Sequence, residues 1–177
     1  LTLTATPIPR TLQLSLTGVR DLSLISTPPV DRLLVRTFVT EFDSIILREA
    51  LLREKNRGGQ SFFVVPRVSD ITSIADFLNS EVPDVSFNIA HGKLPGPKLD
   101  EVINDFLSRK IDLLLSTSIV ESGLDFPNAN TLIVFRADMF GLSQLYQIRG
   151  RVGRSKTRAY CYLTYDREKK MTPQGEK

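Results

Sequence analysis

Between Tyr146 and Arg158 the sequence reads YQIRGRVGRSKTR, gathering Arg149, Arg151, Arg154, Lys156 and Arg158 with Gly150 and Gly153 set among them. No Asp or Glu occurs from Met139 to Tyr165, so no carboxylate of the segment itself offsets these cations. A run of cations is ordinarily a solvated face or a nonspecific nucleic-acid patch. Here Arg151 and Arg154 are three apart, each preceded by Gly150 or by Val152–Gly153. If the turn before them is helical, both guanidiniums project on one side, and two planar forks together suit a polyphosphate better than a single oxygen.

A second candidate is STSIVESGLDFPNANT, Ser116 to Thr131, which follows the apolar run DLLL. Polar residues at the carboxyl end of a strand in a parallel sheet stand where α/β proteins bind ligands. Hydroxyls and N–H groups at Ser116–Ser118 suit phosphate, Gly123 admits a close backbone, and Asp125 can accept from a ribose or orient an arginine. An ordinary turn, rich in Pro and Asn, weighs about equally on this stretch alone. Three further loops carry polar groups: TATPIPRT with Thr4, Thr6 and Arg10, PRVSD with Arg67, and HGKL with His91 and Gly92. Taken singly, each is a turn or surface loop.

Absences narrow the chemistry. There is no G-x-x-x-x-G-K-[ST] loop and no Asp-Glu pair closing an apolar strand, so a complete Walker-type phosphate site is not encoded. One cysteine, Cys161, lies between two tyrosines in a strand-like run and reads as core packing; one histidine and no Cys/His cluster argue against a protein-built metal site. A hydrophobic fraction of 41%, a charged fraction of 24% and a net charge of +3 describe an ordinary globular chain, for which an anionic partner is permitted and not required. No apolar run approaches the ~20 residues that span a bilayer, and the expected location is cytoplasmic.

The elements that must position these residues follow from periodicity. Short apolar runs, Leu34–Val39, Ser61–Val65, Val85–Ile89, Asp112–Leu115, Thr131–Phe135 and Ala159–Leu163, alternate with helical spacings. That alternation predicts an α/β fold with a mainly parallel central sheet. Ile71, Ile74, Ala75 and Leu78 make one apolar stripe, and Leu99, Val102, Ile103 and Phe106 another. Ser69 or Asp70 is expected to cap the first helix, Pro97 to sit in the first turn of the second, and Gly58–Gly59 to end a third over 43–57 with positive φ.

In order, TATPIPRT, FFVVPRV, AHGKL, STSIVESGLDFPNANT and QIRGRVGR resemble motifs III, IV, IVa, V and VI of superfamily 2 helicases and translocases. The likeness runs from Leu3 to about Tyr165, and the last motif has the full Q-x-x-G-R-x-G-R form. GVRDLSLISTPP, RADMFGLSQLYQIRGRVGRS and AYCYLTY are similar to the transcription-repair coupling factor family, with RecG the nearest relative. The resemblance implies a RecA-like three-layer αβα lobe, the second motor lobe of a double-stranded DNA translocase. ATP and Mg²⁺ would be held largely by a first lobe outside this chain, and the chain alone would be inactive. Arg151 and Arg154 would be arginine fingers organised by Gln147. Gly123 and Asp125 would face nucleotide, Thr117, Arg67, His91 and Gly92 would face DNA, and Thr4, Thr6, Arg10 and Glu121 would couple the two. Residues 1–27 would lead out of the first lobe, 28–166 would form the second, and 167–177 would begin a coupling segment. RNA polymerase and UvrA would be partners through other domains. Lys93, where the family usually has Gln, and LPGPK at 94–98 depart from the pattern. A RecG-like fork-remodelling lobe and a noncatalytic DNA-binding module are the alternatives.

Overall fold

Six short apolar runs become six parallel strands. The computed structural model describes residues 34–117, 126–154 and 156–166. Within it β1 (Arg36–Glu41), α1 (Ser44–Asn56), β2 (Gln60–Val64), α2 (Asp70–Glu81), β3 (Phe87–Ala90), α3 (Gly96–Leu107), β4 (Leu113–Ser116), β5 (Ala129–Val134), a 3₁₀ turn (Ala137–Met139), α4 (Leu142–Arg149) and β6 (Tyr160–Tyr165) follow one another. The sheet order is β1-β6-β5-β2-β4-β3, and every neighbouring pair runs parallel. The expectation of a mainly parallel sheet is met by a wholly parallel one.

Because side chains alternate across a strand, Phe62 and Phe63 enter opposite faces and seed two cores. On one face Phe62 packs with Phe106 of α3, Phe126, Ile148 of α4 and Val152; on the other, Phe63 packs with Leu47 and Leu51 of α1 and Ile71, Ile74 and Leu78 of α2. Two helices on each face make the three-layer RecA-like lobe. The predicted stripes are the buried ones, Leu99 and Ala75 lying at their half-buried margins. Cys161 is fully buried, and burial pushes its thiol up to about 12, which agrees with packing and not nucleophilic chemistry.

Local signals hold unevenly. Asp43 caps α1, its carboxylate accepting from the Ile45 and Ile46 N–H groups at 2.8 and 3.1 Å. The cap expected of Ser69 or Asp70 is not made by a side chain. Ser69 already has right-handed helical dihedrals, and the entry is closed instead by the Asp70 and Ile71 N–H groups donating to the Arg67 and Val68 carbonyls. Of the Gly58–Gly59 pair only Gly58 takes positive φ, at +75°. Gly59 is required by crowding: an added Cβ would stand 1.7 Å from Glu54 Oε1. Glu54 is buried, receives the Thr131 hydroxyl at 2.5 Å and the Arg57 Nε–H at 3.0 Å, and closes the amino end of the sheet.

Candidate functional site

The sheet topology sorts the sequence-predicted residues to two opposite edges. At the carboxyl edge, Ala90 of β3 is in register with Ser116 of β4, and Val64 of β2 with the same Ser116. The next residues along therefore bring His91, Thr117 and the loop carrying Arg67 together. The Thr117 N–H donates to Ala90 O at 3.3 Å, and the Val65 N–H to Ser116 O at 2.9 Å, fixing the three strand ends to one another. Thr117 is buried, His91 half-buried, and Arg67 and Gly92 exposed. The loop after β3 is a tight turn: the Leu94 N–H donates to His91 O at 3.0 Å and the Lys93 N–H to His91 Nδ1 at 3.3 Å, which leaves Nε2 as the imidazole nitrogen not used by the turn. A Cβ on Gly92 would meet nothing within 4 Å, and its φ is not positive. Nothing inside the fold therefore demands glycine there.

Among the described residues, one buried side-chain polar atom has no hydrogen-bond partner: the Ser116 hydroxyl, at the centre of this edge. The sequence already counts it among the hydroxyls at 116–118 that suit phosphate, although a serine at the last position of a buried strand does not by itself stand out.

The arginines lie at the other edge. α4 begins near the carboxyl end of β5 and runs back across the sheet, and the Gly153 N–H donates to the carbonyl of Ala129, the first residue of β5. With a rise near 3.3 Å per residue, the length of β5 separates the two edges by about 20 Å. Gln147 is exposed in the last turn of α4. The helix ends at Arg149, so the helical geometry that would have projected Arg151 and Arg154 from one side is absent. Between them Val152 is fully buried in the core and Gly153 turns the chain with φ +73°. Arg151 is half-buried, Arg154 exposed, and both engage in interactions within the structure. Gly150, in contrast, has φ −66° and no need of glycine's extra freedom. The loop is thus a stiff mount, anchored by Val152 and crowded at Gly153, where an added Cβ would stand 2.9 Å from Ala159 Cβ.

Of the other expected site residues, Gly123, Asp125 and Glu121 as well as Thr4, Thr6 and Arg10 lie outside the described residues. The described chain resumes at Phe126, buried against Phe62 and Phe106, directly before the strand whose first carbonyl holds Gly153. Among the described residues no group of three His, Cys, Asp or Glu is placed to hold a metal ion, and no helix is long and apolar enough to cross a membrane.

The helicase conserved C-terminal domain model matches residues 43–156. The chain belongs to the helicase C-terminal domain family. This helicase domain is 57% identical over 173 residues to the transcription-repair-coupling factor of Rickettsia bellii, covering 98% of the chain and 15% of the relative. It is 50% identical over 177 residues to that of Escherichia coli, again covering 15% of the relative's length. The likeness to coupling factors seen in the motifs is therefore borne out along the whole chain, which spans about 15% of the curated relatives it matches. Among solved structures, RecG bound to a three-way DNA junction matches with a TM-score of 0.76 and 36% identity over 92% of this chain and 22% of RecG. Domain 2 of the DEAD-box helicase Mss116p, bound to an RNA duplex, matches with a TM-score of 0.62 and 19% identity over 76% of this chain and 55% of that one, a likeness of fold alone.

Proposed function

We propose that this helicase domain is the second motor lobe of an ATP-driven double-stranded DNA translocase acting in transcription-coupled repair. The observation that carries the reading is the division of the sheet into two working edges. One edge gathers Arg67, His91, Gly92 and Thr117 from three adjacent strand ends; the other mounts Arg151 and Arg154 on a stiff loop after α4. The first suits a phosphate backbone: a cation, an imidazole, a hydroxyl and an unhindered glycine make contacts that are sequence-independent and salt-sensitive. The second suits a polyphosphate presented by another lobe, to which two guanidiniums would supply transition-state charge stabilisation. ATP and Mg²⁺ would be held chiefly by that other lobe, and this chain's own contribution would be the arginines, Gln147, Gly123 and Asp125. Displacement of RNA polymerase and contact with UvrA would belong to further domains of the parent protein. Identity of 57% to a coupling factor against 36% to RecG favours this reading over fork remodelling.

Arg154→Ala in the parent protein is the direct test. DNA-stimulated ATP hydrolysis should fall by about 10³-fold or more while nucleotide binding stays close to wild type. Unchanged turnover would remove the arginine-finger role. DNA binding that is steeply salt-dependent but indifferent to nucleotide, with no hydrolysis in the wild type, would favour a passive DNA-binding module.

A further inference from the structure

At the carboxyl edge stands an ion pair that none of the numbered motifs contains, although both residues open the RADMFGLSQ stretch. Arg136, two residues past the end of β5, grips Asp138 with both ends of its guanidinium: Nε donates to Oδ1 at 3.0 Å and Nη2 to Oδ2 at 2.9 Å. The side chains are 13% and 5% exposed. Arg136 also sits at φ +50°, ψ +57°, the left-handed region that a residue other than Gly, Asn or Asp rarely occupies. A strained backbone and a buried bidentate pair coincide in a single residue. Residues held in this way cluster at ligand clamps and switch regions. Stability alone gives little reason for the charges, because well-packed apolar residues usually replace a buried pair without loss.

Its surroundings give the reason. Val134, the last residue of β5, is in register with Val64 of β2 and with Leu163 of β6, and Arg136 follows two residues later, near Asp70 at the start of α2 and Asp166 just after β6. The Phe135 N–H donates to Val64 O at 2.8 Å, which extends the ladder to the step before Arg136. The Asp138 carboxylate holds the guanidinium's proton more firmly than usual, and the carboxylates of Asp166 and Asp70 add to the same field. On its other side Arg136 begins the path to the arginines. Its carbonyl accepts from Met139 N at 2.9 Å, Phe140 then enters the core, and Gly141 starts α4. Arg136 therefore stands where the end of β5, the start of α2 three residues after Arg67, and the path into α4 meet.

We infer that Arg136 is a positioning residue that couples the DNA-facing edge to the arginine-bearing edge, with Asp138 as its clasp. The inference rests on the translocase reading above. Neither residue touches nucleotide or DNA in this scheme; together they set the direction in which α4 leaves the sheet. Loss of the clasp then lowers the response of hydrolysis to DNA more than hydrolysis itself.

The test uses the full-length parent protein with Arg136→Gly, which accepts the left-handed backbone but removes the clasp, Asp138→Asn, and Arg136→Lys, which keeps the charge but not the bidentate grip. ATP turnover is measured with and without duplex DNA, alongside thermal melting. The expected result is a ratio of DNA-stimulated to basal turnover that falls about tenfold in Arg136→Gly and Asp138→Asn and is partly restored in Arg136→Lys. Basal kcat and the KM for ATP should stay within about twofold. A ratio unchanged in folded variants overturns the inference, as does a loss of stability that lowers both rates in proportion, which would make the pair purely structural. Failure of the translocase reading is recognised separately: the wild-type protein would then show no stimulation by DNA at all, and the inference would fall with it.

Discussion

Substituting Gly153 by alanine tests whether the arginine mount owes its shape to this one residue. An L-residue in the left-handed region costs about 1–2 kcal/mol. The new methyl group would also stand 2.9 Å from Ala159 Cβ and 3.1 Å from Val35 Cγ2. Ala159 is fully buried and continues directly into β6, so it has little room to yield, and overpacking of this kind costs about 1–3 kcal/mol. The sum is about 2–5 kcal/mol. With a urea m-value near 2 kcal/mol/M, the unfolding midpoint of the 177-residue chain should drop by about 1–2.5 M at unchanged m. Two companions separate the contributions. Gly153→Asn should recover part of the conformational cost, since Asn tolerates left-handed backbone, but none of the steric cost. Gly150→Ala, at φ −66° and with contacts of 3.3 and 3.4 Å to the Tyr146 and Gln147 carbonyls, should change stability by no more than about 1 kcal/mol. A Gly153→Ala cost below about 0.5 kcal/mol, or equal costs at both glycines, would refute the assignment of the turn to Gly153.

Three further outcomes follow from other parts of the fold. Gly59→Ala should destabilise the chain by about 2–4 kcal/mol in the same urea assay, because its methyl would displace the Glu54 carboxylate from Thr131 and Arg57; a neutral result would mean that Glu54 swings away freely. Burial pushes Asp112 up, but the Lys55 ammonium at 3.0 Å and the Ser86 N–H and hydroxyl at 2.9 and 2.8 Å outweigh it and hold the carboxyl below its ordinary value. The folded state then binds fewer protons than the unfolded one, so this stabilisation is present above the ordinary carboxylate value and is lost as pH falls through the depressed one; Asp112→Asn should flatten that acid limb in a pH series of melts. Cys161, raised by burial from 9.0 to about 12, should resist thiol reagents at pH 8 until the chain unfolds; since the unfolded chain loses this proton first, its contribution to stability falls as pH rises through that interval, and Cys161→Ala should remove the slope.

What the sequence made legible was periodic or compositional. The stripes of Ile71–Leu78 and Leu99–Phe106, the apolar strand runs and the Q-x-x-G-R-x-G-R spacing are all local patterns, and the stripes and strand runs have their counterparts in the structure. What stayed hidden was set by distance in three dimensions. Gly150 and Gly153 look alike as letters, yet only the neighbourhood of Ala159 and Val35, brought in by sheet pairing, makes one of them obligatory. Glu54 reads as a surface charge on a helix and is buried, because β5 places Thr131 against it. Arg136 and Asp138 sit in no helical or alternating pattern, and a pairing two residues apart through a left-handed turn leaves no periodic trace. Above all, the strand order decided which motifs share an edge. His91, Thr117 and Arg67 are separated by up to 50 residues of chain and converge only because β3, β4 and β2 are neighbours.

The same topology would let a single helix link the two edges, as the proposed coupling requires. α4 has eight residues, and at a rise near 1.5 Å per residue it is a rod about 12 Å long. A tilt of about 5° where it leaves the 3₁₀ turn moves its far end by about 1 Å. Under the coupling proposed above, a shift of that size would matter in the DNA-stimulated state, in which the arginines would have to meet nucleotide held by the other lobe. The entry angle of the rod is therefore the quantity that the fold must control most tightly, and three features act on it within six residues: the clasped left-handed backbone of Arg136, the burial of Phe140, and the Gly141 N–H donating to Gln144 Oε1 at 2.9 Å. The exit is held by Val152 in the core and Gly153 against β5. A rod fixed this firmly at both ends does not flex on its own. On the proposed coupling it would move with the sheet, so that a displacement of the strand ends that carry Arg67, His91 and Thr117 would reach Arg151 and Arg154 with little lost on the way.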